Sequence, residues 1–287
     1  MEQIKMFNGV FLIDKECQIT SRKVDNLIGK KFSIKKVGHV GTLDPLATGL
    51  MLVAVNEGTK VIPFLEDSRK EYIATFKLGL LTTTLDLEGE VVRDITPHII
   101  TKEKLENVLQ SFQGVITQIP PLTSAIKVNG VPLYRYAHKN IDMDVPPREV
   151  EIFSLELIDY NFPEFSIKTL VSSGTYIRTL GNDIATKLDT VATTTKLRRT
   201  RVGNFSINQA KTLENVTQFD IIKCGDALPH IPSILVDKNQ LEAVKVGATI
   251  TLNSQSYRVK VLDGDRLLAI YEQIEGQTYR CLRGFNL

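Results

Sequence analysis

The order in which two hydrophobic periods succeed each other constrains the fold of this chain more than any other feature. Phe7 to Ile13, Leu50 to Val55, Glu71 to Leu81 and Glu90 to Ile95 carry the short apolar or alternating runs of strands. Helical spacing intervenes at Val24, Leu27, Ile28 and Phe32, with Thr20 or Ser21 as N-cap. It returns in Thr101 to Phe112, where Leu105, Val108, Leu109 and Phe112 share one side and Gly114 supplies a C-cap signal. Asn129-Gly130 between apolar runs predicts a hairpin, and segments 150–160 and 164–172 predict paired strands joined across Asn161-Phe162-Pro163. Tyr176, Ile177, Leu180, Ile184 and Leu188 then define an amphipathic helix. Past about Phe219 the chain turns loop-rich, and Thr249 to Phe285 alternates in three runs broken at Asp263-Gly264 and Glu275-Gly276. Strands and helices never alternate regularly, so an α+β domain with a small all-β appendage fits better than a doubly wound sheet.

The chemistry of whole classes of protein is excluded early. Leu50 to Val55 is far shorter than the ~20 apolar residues that cross a bilayer. MEQIKMFNGVFLIDKE has no small-residue cleavage pattern and reads as a strand, so the expectation is a soluble protein of the cytoplasm. Cysteines 17, 224 and 281 and the four histidines are scattered, which predicts neither a disulfide framework nor a metal site. With 43% apolar and 24% charged residues the chain has ordinary globular composition and enough length for one large core or two domains. A net charge of +2 is too mild to announce a nucleic-acid partner. Lys196 to Val202, KLRRTRV, concentrates positive charge, and simple alternation after Leu197 would place Arg199 and Arg201 on one strand face. Alone, such a cluster reads as a solvated edge.

One turn asks for a chemical explanation. GHVGTLDPLATG, Gly38 to Gly49, places Asp44 before Pro45 among glycines and directly ahead of the apolar run. An Asp-Pro turn with a local hydrogen bond is the plainest reading. A phosphate loop fails, because no Gly-Lys-Ser/Thr follows the glycines and no strand-GxGxxG-helix arrangement is present. The third reading is a nucleophilic carboxylate on a rigid turn. Glycines let a large ligand approach the backbone, and Pro45 stiffens the turn by fixing its own φ. A carboxylate suits attack at a sugar carbon whose glycosidic bond is breaking. With no evident second acid, an isomerisation of a nucleoside fits better than a hydrolysis.

The stretch Lys36–Lys60 resembles the signature of the TruB family of tRNA pseudouridine synthases, Gly-His-x-Gly-x-Leu-Asp-Pro-x-Ala-x-Gly, ending near Thr59-Lys60. KEYIATFKLG with Tyr72, SSGTYIRTLGNDIA with Arg178, KLRR at Lys196 to Arg199, and QIPPLTSAIKVNG at Gln118 to Gly130 are similar to further family motifs, in family order over roughly residues 9–205. The early Lys-Pro-x-Gly-x-Thr-Ser is altered here to Lys15-Glu16-Cys17-Gln18-Ile19-Thr20-Ser21, which loses the proline and glycine and implies a different local backbone.

The resemblance implies a fold and a set of roles. The fold would be an α+β pseudouridine synthase catalytic domain on a mixed, largely antiparallel sheet with flanking helices, over residues 1–230. An RNA-gripping insertion is expected at about 120–147 and a small C-terminal β-rich PUA-like domain at 231–287. The reaction would convert uridine 55 in the T loop of tRNA to pseudouridine without a cofactor or metal. Asp44 would attack at the sugar C1′ or the base C6, paired with Arg178, which Asp86 would buttress; Thr83 stands where the family often has another acid. Tyr72 would stack on the flipped base and help move the proton from C5. His39 would fill the space left by the extruded base, and Leu197 would line the uracil pocket. Tyr176, Lys15, Lys127, Tyr134, Arg198 and Arg199 are the further expected substrate contacts. The partner would be the T stem-loop of tRNA, with no membrane, no obligate protein partner and a monomeric state. A tRNA-binding folding chaperone and a small-molecule glycosidase are the rival functions.

Overall fold

The structure, a computed structural model, describes residues 7–121, 124, 127, 128, 130–133, 136, 141, 143 and 145–286; of these, the side chains of 127, 128, 132, 238 and 239 are not described. In chain order the first elements are β1 (Gly9–Lys15), α1 (Ser21–Lys31), β2 (Val37–Val40), β3 (Thr48–Val55), β4 (Lys70–Leu78), β5 (Leu80–Thr82) and β6 (Val91–Asp94). Next come α2 (Lys102–Gln110), β7 (Gly114–Gln118), β8 (Lys127–Val128), β9 (Val131–Pro132), β10 (Arg148–Asn161) and β11 (Glu164–Val171). The helix Ile177–Lys187 is α3 here, followed by β12 (Ala192–Val202), β13 (Phe205–Ser206) and β14 (Ile222–Lys223). The chain finishes with β15 (Ser233–Leu235), the helix Lys238–Lys245 as α4, β16 (Ile250–Thr251), β17 (Arg258–Asp263), β18 (Arg266–Glu275) and β19 (Thr278–Gly284). Among the described residues, no helix is long and apolar enough to cross a membrane.

The large sheet runs β14-β1-β3-β12-β4-β11-β10-β7, with β2 beside β3 and β13 beside β12. All its pairs are antiparallel except β3 with β12, which match only at Arg198↔Thr48 and Arg199↔Gly49. The unbroken apolar run of β3 is explained by cover on both faces. Leu50, Leu52 and Ala54 enter one core cluster, while Met51, Val53 and Val55 enter another with Val24 and Ile28 of α1. A third cluster packs α2 and α3 against β4, β10, β11 and β12 through Leu105, Leu109, Leu180, Ile184, Phe76, Ile152 and Phe165. A five-stranded sheet, β15-β17-β18-β19-β16, forms the tail. Leu267 and Ile270 of β18 and Phe285 beyond β19 share a core cluster with Val10, Leu50 and Leu52.

Several elements depart from the sequence expectation. The strand foreseen over Glu71 to Leu81 breaks at Gly79 into β4 and β5. Gly114 does not cap α2, which ends at Ser111; it opens β7 with φ 95°, a strand that no alternation announced. Arg199 and Arg201 do not share a face. A bulge lies between them where β12 pairs with β4, so that Arg199 is buried and Arg201 exposed. Val128 and Val131 pair as the hairpin expectation requires, with Asn129 of its turn outside the described residues.

Candidate active site

The turn between β2 and β3 carries Asp44, and the surrounding chain grips its backbone. The Ser21 hydroxyl at the head of α1 donates to the Leu43 carbonyl and accepts from the Leu43 amide, both at 2.8 Å. Lys15 Nζ donates to the carbonyls of Ile19 (2.7 Å), Glu16 (2.9 Å) and Pro45 (3.1 Å). The Gln18 amide reaches Pro45 O at 2.8 Å, and Cys17 Sγ reaches Leu46 O at 3.2 Å. Gln18 has φ 65°, so the altered motif keeps a left-handed residue where the family sequence has glycine. The expected local departure is therefore one of side chain, with a backbone that glycine would adopt freely.

Arg178 joins two carboxylates. It lies in the first turn of α3, only 5% exposed, with Nε 3.0 Å from Asp44 Oδ2 and Nη1 3.1 Å from Asp86 Oδ2. Nη1 also donates to the Thr84 carbonyl at 2.7 Å. The helix start is set by a side chain from β7: the Tyr176 amide donates to Gln118 Oε1 and Gln118 Nε2 donates to Tyr176 O. Asp86 is buried and its Oδ1 accepts from the Thr84 hydroxyl and the Glu88 amide. With both carboxylates fixed on one guanidinium, Asp44 has little freedom except toward solvent, to which 34% of its side chain is open. Burial pushes the Asp44 carboxyl above its ordinary range, Arg178 pulls it down, and Asp86 adds to the rise. The same crowding raises Glu88, through burial first and then Asp86 and Asp44. Burial lowers Lys15 to about 8.

The apolar side of the site is a single packed group. Tyr72 of β4, Leu197 of β12, Leu43, Ala47 and Ile177 belong to the same buried cluster. Thus two strands and a helix, far apart in sequence, share one core with Leu43 and Ala47 of the turn that carries the carboxylate. His39 flanks the turn with Nδ1 2.8 Å from Asp25 Oδ2 and Nε2 3.2 Å from Thr42 Oγ1. Asp25, buried on α1, orients that ring; as one acid in a helical pattern it gave no signal in the sequence. Tyr176 immediately precedes α3 and is half-buried, with burial raising its phenol.

Other expected substrate contacts are placed differently. Lys15 has no exposed surface, since its three donors are spent on carbonyls beneath the turn. Arg199 is 1% exposed and donates to Leu50 O and Gly41 O, so its expected RNA contact is corrected by burial. Arg198 is part-exposed and binds both oxygens of Asp14, at 3.0 and 2.7 Å. The Lys127 side chain and Tyr134 lie outside the described residues. Among the described residues, no group of three or more His, Cys, Asp or Glu is placed to hold a metal ion.

Residues 29–177 match the family model for the TruB family pseudouridylate synthase N-terminal domain, and residues 178–226 that for the tRNA pseudouridylate synthase B C-terminal domain. The tRNA pseudouridine synthase B of Clostridium tetani is 38% identical over 270 residues, 93% of this chain and 92% of its own. That of Mesoplasma florum is 35% identical over 279 residues, covering 96% and 98%. In fold the chain resembles a protein in the crystal structure of a Cbf5-Nop10-Gar1 complex, with TM-score 0.76 and 24% identity over 99% of this chain and 88% of that one.

Proposed function

The chain belongs to the TruB family of pseudouridylate synthases, and from that premise we propose that it isomerises uridine 55 in the T loop of tRNA to pseudouridine. Its architecture is the α+β pseudouridine synthase fold with a β-rich, PUA-like tail. The observation that carries the proposal is the Asp44–Arg178–Asp86 chain at the only turn whose sequence matches the family signature.

The reaction is redox-neutral and asks little more than a placed nucleophile. Extruding the uridine from the RNA loop brings its sugar and base over the turn, with His39 at the rim to occupy the vacated space. Asp44 attacks at C1′ or C6 while the bond from C1′ to N1 breaks. The base turns within the apolar group of Tyr72 and Leu197, and C5 bonds to C1′; the bond to Asp44 breaks in that step for attack at C1′, or by elimination after it for attack at C6, which returns the free carboxylate. Loss of the C5 proton and gain of one at N1 complete an isomerisation in which no atom is added or removed. Arg178 serves throughout by aiming Asp44 and favouring its charged form. The exposed Lys196 and Arg201 and the part-exposed Arg198 are the cations of KLRRTR left to meet phosphate. We place the boundary between catalytic body and tail near residue 230, and a monomeric cytoplasmic enzyme fits this reading.

Incubation with an unmodified tRNA transcript, followed by carbodiimide treatment and primer extension, tests the substrate. A new stop at position 55 is expected; a stop at another uridine alone would sink the positional assignment, and none would sink the activity. Asp44→Asn should bind the transcript and leave it unmodified. Unchanged tRNA annealing by that variant would mark a separate chaperone role, and released uracil would mark a glycosidase.

A further inference from the structure

Arg199 is a buried cation without a buried anion to explain it. Among the described residues no carboxylate lies within ion-pair distance of its guanidinium, and the nearby Lys70 is also a cation, lowered to about 8 by burial and then by Arg199. Its Nη2 is buried without a hydrogen-bond partner. The other two donors are well spent: Nε reaches Leu50 O at 2.7 Å and Nη1 reaches Gly41 O at 2.9 Å. These carbonyls stand on opposite sides of Asp44, one where the turn leaves β2 and one where it enters β3.

The backbone is shaped to the same contact. Gly41, at φ 63°, would with a Cβ stand 3.3 Å from Arg199 Nη1, and a Cβ on Gly49 would fall 2.2 Å from Arg199 O. Arg199 is also in register with Gly49 on one neighbour strand and Tyr72 on the other. A guanidinium is a rigid planar fork, so it fixes the separation of two acceptors in a way that a lysine ammonium or an apolar side chain cannot. Burying such a charge among carbonyls is costly, and a neutral residue would fill the space more cheaply.

We propose that Arg199 is a positioning residue for the Asp44 turn: its guanidinium ties the two ends of Gly41–Leu50 together so that the carboxylate meets Arg178 Nε. The role rests on the reading of Asp44 as nucleophile. It differs from a phosphate contact, which would act on tRNA affinity and its salt dependence.

The test uses the full chain and an unmodified tRNA transcript, with folding checked by thermal melting. In Arg199→Lys the single-turnover rate is expected to fall about 100-fold, while the Kd for tRNA stays within about twofold and its salt slope is unchanged. A rate equal to wild type in the folded variant would overturn the proposal. So would a loss confined to Kd with a slope shallower by about one unit, the mark of a lost phosphate contact. Gly41→Ala keeps the charge and crowds Nη1; it should lose about tenfold in rate at unchanged Kd, and an unchanged rate would overturn the clamp even if Arg199→Lys fails to fold. Lys70→Met removes a neighbouring buried cation that touches none of the turn's carbonyls, and an equal rate loss there would count against a specific clamp. Asp44→Asn run alongside separates the readings, because turnover retained in that variant removes Asp44 from its role while an unchanged rate in Arg199→Lys removes only the clamp.

Discussion

Arg178 shows how one side chain can decide the chemistry of another. Its Nε and Nη1 hold Asp44 and Asp86 at 3.0 and 3.1 Å from a nearly sealed position. Arg178→Lys offers a point charge that cannot span both acids, and turnover is expected to fall about 100-fold with tRNA binding retained, as single-turnover and filter-binding measurements would show. With Asp44 proposed as the nucleophile, its protonation is expected to set the acid limit of activity. Its carboxyl is raised by burial and by Asp86, so as pH falls this carboxylate is neutralised earlier than an ordinary aspartate would be. The acid limb of single-turnover rate against pH should therefore lie above the usual carboxylate range. Asp86→Asn, which removes the like charge, should move that limb to lower pH while lowering the plateau; a limb that stays in place would show that another group controls it.

At the scale of elements, the site is assembled from starts and ends. Thr20 caps α1 and accepts from the Lys23 amide, which sets the register that puts Ser21 on Leu43 and Asp25 on His39. The loop before it holds Pro45 and Leu46 while carrying Gln18 at φ 65°. An L residue there costs roughly 1–2 kcal/mol, part of which glycine returns as unfolded-chain entropy. Gln18→Gly is expected to stabilise the chain by about 0.5 kcal/mol with activity unchanged, measurable as a higher urea midpoint; a lower midpoint would mean that the Gln18 side chain contributes more than its strain removes. Helix α3 begins where Gln118 of β7 bonds Tyr176 at both amide and carbonyl. The unforeseen β7 thus matters to the site, since it fixes the end of the helix from which Arg178 reaches down.

Across the whole molecule, the tail and the body share hydrophobic core. Leu267 and Ile270 of β18 lie with Val10, Leu50 and Leu52 of the central strands, all at most 5% exposed. Leu267→Ala should cost about 2–5 kcal/mol and lower the unfolding midpoint reported by both body and tail in one transition. Two separated transitions would show that the tail unfolds alone and that the shared cluster adds little. The brief parallel pairing of β3 with β12 lies inside the large sheet, with further strands on both sides. Asp44 precedes one of these strands and Leu197 and Arg199 lie on the other, so the Asp44 turn is anchored to strands of the large sheet.

The sequence by itself determined the strands and helices whose periods are undisturbed, the Asp44 turn, and the matching segments that hold Tyr72 and Arg178. Those features are local, written in turn chemistry, spacing and motif. It could not determine which cations face solvent. Alternation predicted a common face for Arg199 and Arg201, but one bulge reversed the parity and sealed Arg199 beneath the turn. Lys15 likewise looked like a ligand contact and proved to be a backbone donor, because its carbonyl partners gather only when β1 and the turn pack together. Nor did any local pattern mark Asp25, and the segment that opens at Gln118 gave no sign that this side chain holds Tyr176. Burial and hydrogen bonding depend on residues brought close by strand pairing, and that information exists only once the tertiary structure has formed.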